Sequence, residues 1–177
     1  ATQFRGLGEE SEVARTLSSG LQALIYLGQY EEARDWGAEA GCILSSLGDQ
    51  LRLARLWTNL GNIEHRVDRH AEALALYRSA YEKLLEVGEP RDIAAVLSNM
   101  AVCCTSLGRF AEVRDYYAKA RECAENAGLL TLVAEADYNI AYFHFLRGEY
   151  VEAIRQYGRS RIHAEKIGDR YRAALCD

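Results

Sequence analysis

Proline is almost absent from this chain of 177 residues, whose single proline is Pro90. Because proline interrupts helices and 49% of the residues are hydrophobic, this scarcity favours a folded, helix-rich protein. Apolar runs of about 20 residues, the length needed to span a membrane, are also missing. The N-terminal stretch lacks the basic segment followed by an apolar segment that marks a secretory leader. We therefore expect a cytoplasmic protein with no membrane partner.

Positive charge is not concentrated anywhere along the chain. The net charge is −5, and the acidic excess lies before residue 51, since each later block of 40 residues has equal numbers of acidic and basic groups. Proteins that bind nucleic acid usually carry a basic patch or stripe. The sequence therefore predicts no nucleic-acid partner.

Motifs for catalysis, metals and cofactors are missing as well. There is no glycine-rich phosphate loop, no nucleophile motif and no spacing typical of a metal site. His65 and His70 are five residues apart with a turn predicted between them, so we do not expect them to share a helix face. The sequence predicts no enzymatic activity, no metal and no cofactor.

Five cysteines without a disulfide-framework spacing are interpreted as reduced and mostly buried thiols: Cys42, Cys103, Cys104, Cys123 and Cys176.

The dominant feature of the sequence is a pattern that returns every 40 residues. A fixed period of this size is typical of repeat proteins, in which stacked units bury a continuous core. Within each block the apolar residues follow three- and four-residue steps, which predicts two helices. The turn between these helices carries Gly28, Gly108 and Gly148, and Asp68 takes the same place in the second block. We expect this position to need a left-handed backbone, which glycine adopts freely and aspartate tolerates.

The motifs in these blocks resemble the tetratricopeptide repeat. Residues 57–62 read Trp-Thr-Asn-Leu-Gly-Asn and residues 68–73 read Asp-Arg-His-Ala-Glu-Ala, followed by Tyr77 and Ala80. Related motifs follow in residues 98–120 and 138–157. The resemblance implies an all-α fold, a right-handed α-solenoid of helix-turn-helix tetratricopeptide repeats. The repeats here have 40 residues, where the family usually has about 34.

We expect a single array over residues 1–177. The first residues, including Phe4, Leu7 and Gly8, align with the end of the later blocks, so we interpret the chain as an excerpt from a longer array. Exposed end faces of such an excerpt would favour end-to-end self-association. Full repeats are predicted at 11–50, 51–90, 91–130 and 131–170, with the end of a preceding repeat at 1–10 and the start of a further one at 171–177.

One acidic residue stands at a slot that the other blocks fill differently. Glu64 takes the place of Leu24, Cys104 and His144. A half-buried carboxylate at such a slot needs a partner such as arginine or histidine. We therefore expect Glu64 to be a paired, partly solvated acid.

The resemblance also implies where a ligand would bind, because the first helices of tetratricopeptide repeats line a concave groove. Asn59, Asn99 and Asn139 recur on the inner face of these helices, and asparagine ladders in similar repeats hold peptide backbones. The alternative is that these amides only join neighbouring helices. The predicted peptide-binding residues are Arg15, Arg55, Thr58, Asn59, Asn62, Ser98, Asn99, Tyr138, Asn139 and Tyr142.

These residues predict a protein–protein interaction module that binds an extended peptide or partner segment. Arg15 and Arg55 would suit an acidic stretch of the ligand, and Tyr138 and Tyr142 would suit an apolar anchor. Two alternatives stay open. The chain could be the sensory or regulatory arm of a larger bacterial signalling, transcription-regulator or caspase-like protein, or an architectural or engineered scaffold without a native ligand.

Overall fold

The computed structural model describes residues 9–177, and this part of the chain is helical without strands. Residues 1–8, with Phe4, Leu7 and Gly8 of the predicted partial repeat, lie outside the described residues. The chain divides into two compact units, with the boundary after Gly88. None of the described helices is both long and apolar enough to cross a lipid bilayer. The all-α class predicted from the sequence is confirmed.

The helices pack as consecutive hairpins within each unit, α1 on α2, α3 on α4, α5 on α6 and α7 on α8. The first unit contains α1 (Glu10–Tyr26), α2 (Tyr30–Ser46), α3 (Gln50–Arg66) and α4 (His70–Val87). The second unit contains α5 (Pro90–Ser106), α6 (Phe110–Asn126), α7 (Leu130–Leu146), α8 (Tyr150–Lys166) and the short α9 (Arg170–Leu175). The division into repeats at residues 11, 51, 91 and 131 stays a prediction.

The turns inside the hairpins have the left-handed residue that the sequence predicts. Gly28 has a φ of 74°, and Asp68, at the same place in the next hairpin, has a φ of 60°. The left-handed residue lets the chain reverse while the last carbonyls of the helix stay bonded, as in the backbone bond from Gln29 N to Leu24 O at 2.9 Å. The same turn therefore ends α1 and α3, although one uses glycine and the other aspartate.

Small residues set the distance between the two helices of a hairpin. Tyr77 of α4 is only 1% exposed, and its hydroxyl donates to Asn62 Oδ1 of α3 at 2.7 Å. The ring lies against Gly61, where an added Cβ would come within 2.5 Å of Tyr77 Cε1. Glycine at position 61 is thus what allows a buried tyrosine between α3 and α4.

Replacing Gly61 by alanine is therefore expected to destabilise the protein. The alanine gains roughly 1 kcal/mol of helix propensity, but it forces the Tyr77 ring away from Asn62 at an overpacking cost of about 2–3 kcal/mol. The expected net loss in urea unfolding is about 1–2 kcal/mol. Gly158→Ala is the matched control, since Gly158 lies inside α8 and an added Cβ there meets nothing within 4 Å. That substitution should stabilise by about 0.5–1 kcal/mol, and equal losses at both sites would contradict the packing argument.

The cysteines differ in part from the prediction. None of the five cysteines forms a disulfide bond, but only Cys103 and Cys104 are buried, whereas Cys42 is exposed. Burial, together with the adjacent Cys104, raises the pKa of Cys103 to about 11. This thiol therefore stays protonated and unreactive at neutral pH.

Candidate functional site

A cleft of about 320 Å³ lies between α1 and α3 in the first unit and is termed the arginine cleft. Its lining residues follow steps of three and four along each helix, so one face of each helix forms a wall. The lining residues are Arg15, Ser18, Ser19 and Gln22 of α1 with Arg52, Arg55, Leu56 and Asn59 of α3.

Contacts at the start of α3 hold the side chain of Arg52 in place. Asp49 precedes α3, and its Oδ1 accepts a hydrogen bond from the backbone N–H of Arg52 at 3.0 Å, which caps the helix. The second carboxylate oxygen of Asp49 pairs with the Arg52 guanidinium at 3.2 Å. The same guanidinium donates to Ser11 Oγ of α1 at 3.1 Å, so Arg52 joins the two walls of the cleft.

The arginines of the cleft keep much of their surface exposed to solvent. The Arg15 side chain is 61% exposed and pairs with Glu12, and the Arg52 side chain is 46% exposed. Arg55, one turn after Arg52, is also exposed. Guanidinium groups with accessible N–H donors bind carboxylates and other anions in a forked geometry. The cleft is therefore suited chemically to a negatively charged group.

Two of the residues predicted to bind peptide make local hydrogen bonds in the first unit instead of lining the arginine cleft. Thr58 Oγ1 donates to the carbonyl of Ala54 at 3.0 Å, within α3 itself. Asn62 accepts the bond from Tyr77 described above. Asn59 is half-buried and lines the cleft. The structure thus brings Arg15, Arg55 and Asn59 together.

In the second unit the predicted residues are divided between two places. Ser98 and Asn99 line a small pocket of about 70 Å³ between α5 and α7, which also includes Glu135. Ser98 Oγ donates to the carbonyl of Ala94 at 3.0 Å. Asn139 is half-buried and does not line this pocket.

A second cleft, of about 390 Å³, is termed the tyrosine cleft. Tyr138 and Tyr157 meet edge to face with ring centroids 5.4 Å apart, and burial raises the pKa of Tyr157. Tyr142 and Phe145 lie nearly parallel with centroids 6.4 Å apart. The cleft combines aromatic faces with aliphatic side chains and so suits an apolar group. Its lining residues are Tyr138, Tyr142 and Phe145 of α7, Ile154 and Tyr157 of α8, and Leu175, Cys176 and Asp177 at the C-terminus.

Glu64 has the arginine partner that the sequence led us to expect. Its side chain is 10% exposed and accepts two hydrogen bonds from Arg34 of α2, from Nε at 2.6 Å and from Nη2 at 3.2 Å. Arg69 adds a guanidinium nitrogen 3.5 Å from the same carboxylate. The ion pair joins α2 to α3, which belong to successive hairpins.

A second buried acid was missed by the sequence reasoning. Asp137 of α7 is 0% exposed, and its two oxygens lie 2.7 Å from Arg121 Nε of α6 and 2.8 Å from His163 Nδ1 of α8. The 40-residue period could have revealed this acid in the sequence. Asp137 stands where the preceding block has an apolar residue, Leu97. An acid at an apolar slot indicates a buried ion pair, as it does for Glu64.

The two histidines that we expected to be apart are brought together. His65 lies in the last turn of α3 and His70 is the first residue of α4. Their Nδ1 atoms are 3.1 Å apart and their ring centroids are 5.0 Å apart. The prediction treated the helix faces separately and overlooked that the tight turn at Asp68 folds one helix end onto the start of the next.

Solved structures of other proteins share this fold at low sequence identity. Aspartyl phosphate phosphatase F from Bacillus subtilis has a TM-score of 0.86 and 17% identity, over 95% of this chain and 46% of its own. A Rap protein complexed with competence and sporulation factor has a TM-score of 0.83 and 20% identity, with the same coverage of 95% and 46%. The Rap conjugation gene regulator of plasmid pLS20, in complex with the Phr* peptide, has a TM-score of 0.68 and 14% identity, over 80% and 40%. The chain spans less than half the length of each.

A family model described as tetratricopeptide repeat matches residues 52–126. This region holds the helices α3 to α6, with the left-handed turns at Asp68 and Gly108. It also contains the motif Trp-Thr-Asn-Leu-Gly-Asn at residues 57–62 and the buried Tyr77. Residues 52–126 therefore match the tetratricopeptide repeat family, the family that the motifs predicted.

Proposed function

We propose that this chain binds an extended peptide or partner segment, with an acidic stretch of the ligand in the arginine cleft. The observation that carries the proposal is that three arginines, Arg15, Arg52 and Arg55, line one cleft. Ser18 and Asn59 line the same cleft and supply a hydroxyl and an amide that can pair with a peptide backbone. A carboxylate side chain would bind the guanidinium groups while the adjacent backbone meets these neutral groups.

The tyrosine cleft supports a second subsite, for an apolar side chain of the ligand. Phe145 and Ile154 leave 49% and 71% of their surface exposed at its rim. Aromatic side chains give large buried areas at a low entropy cost and often dominate binding energy. A ligand that carries both an acidic stretch and an apolar residue therefore fits the proposal better than one with either alone.

The similarity to Rap proteins supports the same class of ligand. The plasmid pLS20 regulator was solved with a peptide, and another Rap protein was solved with competence and sporulation factor. Because a conjugation gene regulator shares the fold, the regulatory arm of a larger protein is the second candidate function. Aspartyl phosphate phosphatase F shares the fold as well, but no hydrolytic role is part of the proposal.

Binding should be tested with designed probes, a fluorescein-labelled peptide of alternating glutamate and leucine and a matched peptide of lysine and leucine. We expect the acidic probe to bind more tightly and to lose affinity as salt rises.

Arg55→Ala should weaken the binding of the acidic probe about tenfold, or roughly 1.4 kcal/mol, and reduce the salt dependence. Tyr142→Ala should weaken binding without changing the salt dependence, since it removes buried area. Fluorescence anisotropy measures each affinity.

Arg155→Ala is the matched control for Arg55→Ala. Arg155 is 66% exposed, is paired with Glu152 and lines neither cleft, so its removal should leave the affinity unchanged. Equal losses for Arg55→Ala and Arg155→Ala would show only a general effect of charge. Failure of the acidic probe to bind at all would instead favour a scaffold.

Asn59→Ala is expected to lower the affinity for the acidic probe more than it lowers the free energy of unfolding. Asn59 is only half-buried and lines the open arginine cleft, so we expect its replacement to change the free energy of unfolding by about 0.5 kcal/mol or less, as at surface positions. The affinity for the acidic probe should fall by roughly 1 kcal/mol, because a backbone group of the peptide would lose its partner. Urea unfolding and anisotropy on the same sample compare the two effects. A loss of stability with unchanged affinity would assign Asn59 to helix packing.

A further inference from the structure

The pair of histidines at the turn between α3 and α4 has a geometry that the peptide-binding proposal does not use. The two rings belong to different helices, and their Nδ1 atoms face each other at 3.1 Å. The His70 side chain is 20% exposed, so solvent and small ions reach it. Neither residue lines the arginine cleft.

We propose that His65 and His70 form a divalent transition-metal site that binds the ion through both Nδ1 atoms. Imidazole nitrogens bind zinc at about 2.0–2.1 Å. An ion at that distance from two nitrogens 3.1 Å apart lies to one side of the line that joins them, with an N–metal–N angle of about 95–100°. This angle lies between the values for octahedral and tetrahedral coordination, and each ring must turn from its partner's nitrogen towards the ion. Nickel, copper and zinc are the ions that imidazole ligands favour.

Ion binding would change the tautomer of one of the two rings. In the metal-free pair one Nδ1 donates a proton to the other; with an ion bound, that proton moves to Nε2 of the same ring through solvent. Each ring therefore carries one proton before and after the ion binds. Asp68 has an oxygen 3.7 Å from His70 Nε2, beyond hydrogen-bond distance.

A metal at this position would connect the end of α3 to the start of α4. The connection crosses the turn at Asp68, the one described non-glycine residue in the left-handed region. An ion that binds the folded turn and not the unfolded chain stabilises the fold by mass action. The site is thus predicted to stiffen a turn rather than to catalyse a reaction.

The test is a calorimetric titration of the full chain with Ni²⁺ at neutral pH. We expect one ion per chain, and His65→Ala and His70→Ala should each weaken its binding by about tenfold or more. His144→Ala is the matched control, because His144 pairs with Glu149 in another turn and should leave the affinity unchanged. Ni²⁺ should also raise the melting temperature of the unsubstituted chain but not that of the two pair variants.

Circular dichroism without metal shows whether the variants remain helical, so that a lost site is not mistaken for a lost fold. If the unsubstituted chain binds no Ni²⁺, the two rings are joined by a hydrogen bond only, and the proposal is wrong. Binding that survives both His65→Ala and His70→Ala, for example at the cysteine thiols, would also overturn it. Neither result depends on whether the chain binds peptide.

Discussion

Replacing Arg121 by alanine is expected to destabilise the second unit by about 3 kcal/mol. Asp137 is fully buried, and this substitution removes one of its two partners while leaving the carboxylate in place. A buried ion pair broken from one side costs about 3–5 kcal/mol, because the remaining charge is not solvated. His163 still contacts the other oxygen of Asp137, so the loss should lie at the lower end. Urea unfolding followed by circular dichroism measures it.

Asp137→Leu tests the reason behind that expectation. It removes the buried charge itself and installs the residue found 40 positions earlier, Leu97. Arg121 and His163 remain 27% and 26% exposed, so water can solvate them. The free energy of unfolding should therefore change by less than about 1 kcal/mol in either direction. If Asp137→Leu costs as much as Arg121→Ala, the hydrogen bonds themselves stabilise the unit and desolvation is not the cause.

In the first unit, Arg34→Ala is expected to cost about 2–3 kcal/mol. The substitution removes both hydrogen bonds to the buried carboxylate of Glu64. The expected loss is smaller than a full buried-pair penalty, because Arg69 lies 3.5 Å away and can partly compensate the charge. Urea is the suitable denaturant, since guanidinium chloride would screen the ion pair.

Two variants accompany Arg34→Ala. Glu64→Leu installs the residue of the preceding block, Leu24, and should be close to neutral. Arg155→Ala breaks an exposed ion pair and should change stability by about 0.5 kcal/mol or less. A neutral Arg34→Ala would mean that Arg69 or water satisfies Glu64 fully, and the pair would then have no stabilising role.

The fold could be predicted because its signals are local and repeated. Apolar steps of three and four define each helix, and the left-handed turn residue recurs at a fixed distance. Asp68 is informative here, since the period alone predicted a positive φ for a residue that seldom adopts one. The side-chain partners of buried acids are not local in this way. Arg121 and His163 lie 16 and 26 residues from Asp137, at distances that no helical spacing predicts.

The candidate site was predictable where the helix face alone decides which side chains reach the cleft. Arg15, Arg55 and Asn59 were found from their helix face, and they line one cleft. Thr58 lies next to Asn59 in sequence, yet its hydroxyl bonds to a carbonyl four residues earlier, as threonine in helices often does. Arg52 was missed because its position depends on the cap at Asp49. The period alone does not show which side chains cap a helix.

The Arg34–Glu64 pair also determines the order in which the hairpins can follow one another. It joins the second helix of one hairpin to the first helix of the next, and the residue 40 positions after Arg34 is Leu74. A tandem duplication of residues 51–90 would set the second copy of Glu64 opposite that leucine. That carboxylate would keep only the copy of Arg69, so the cost would be about 2–3 kcal/mol, as for Arg34→Ala. Gene duplication of this hairpin would therefore be disfavoured until a compensating arginine appeared, so each hairpin is matched to its own neighbour.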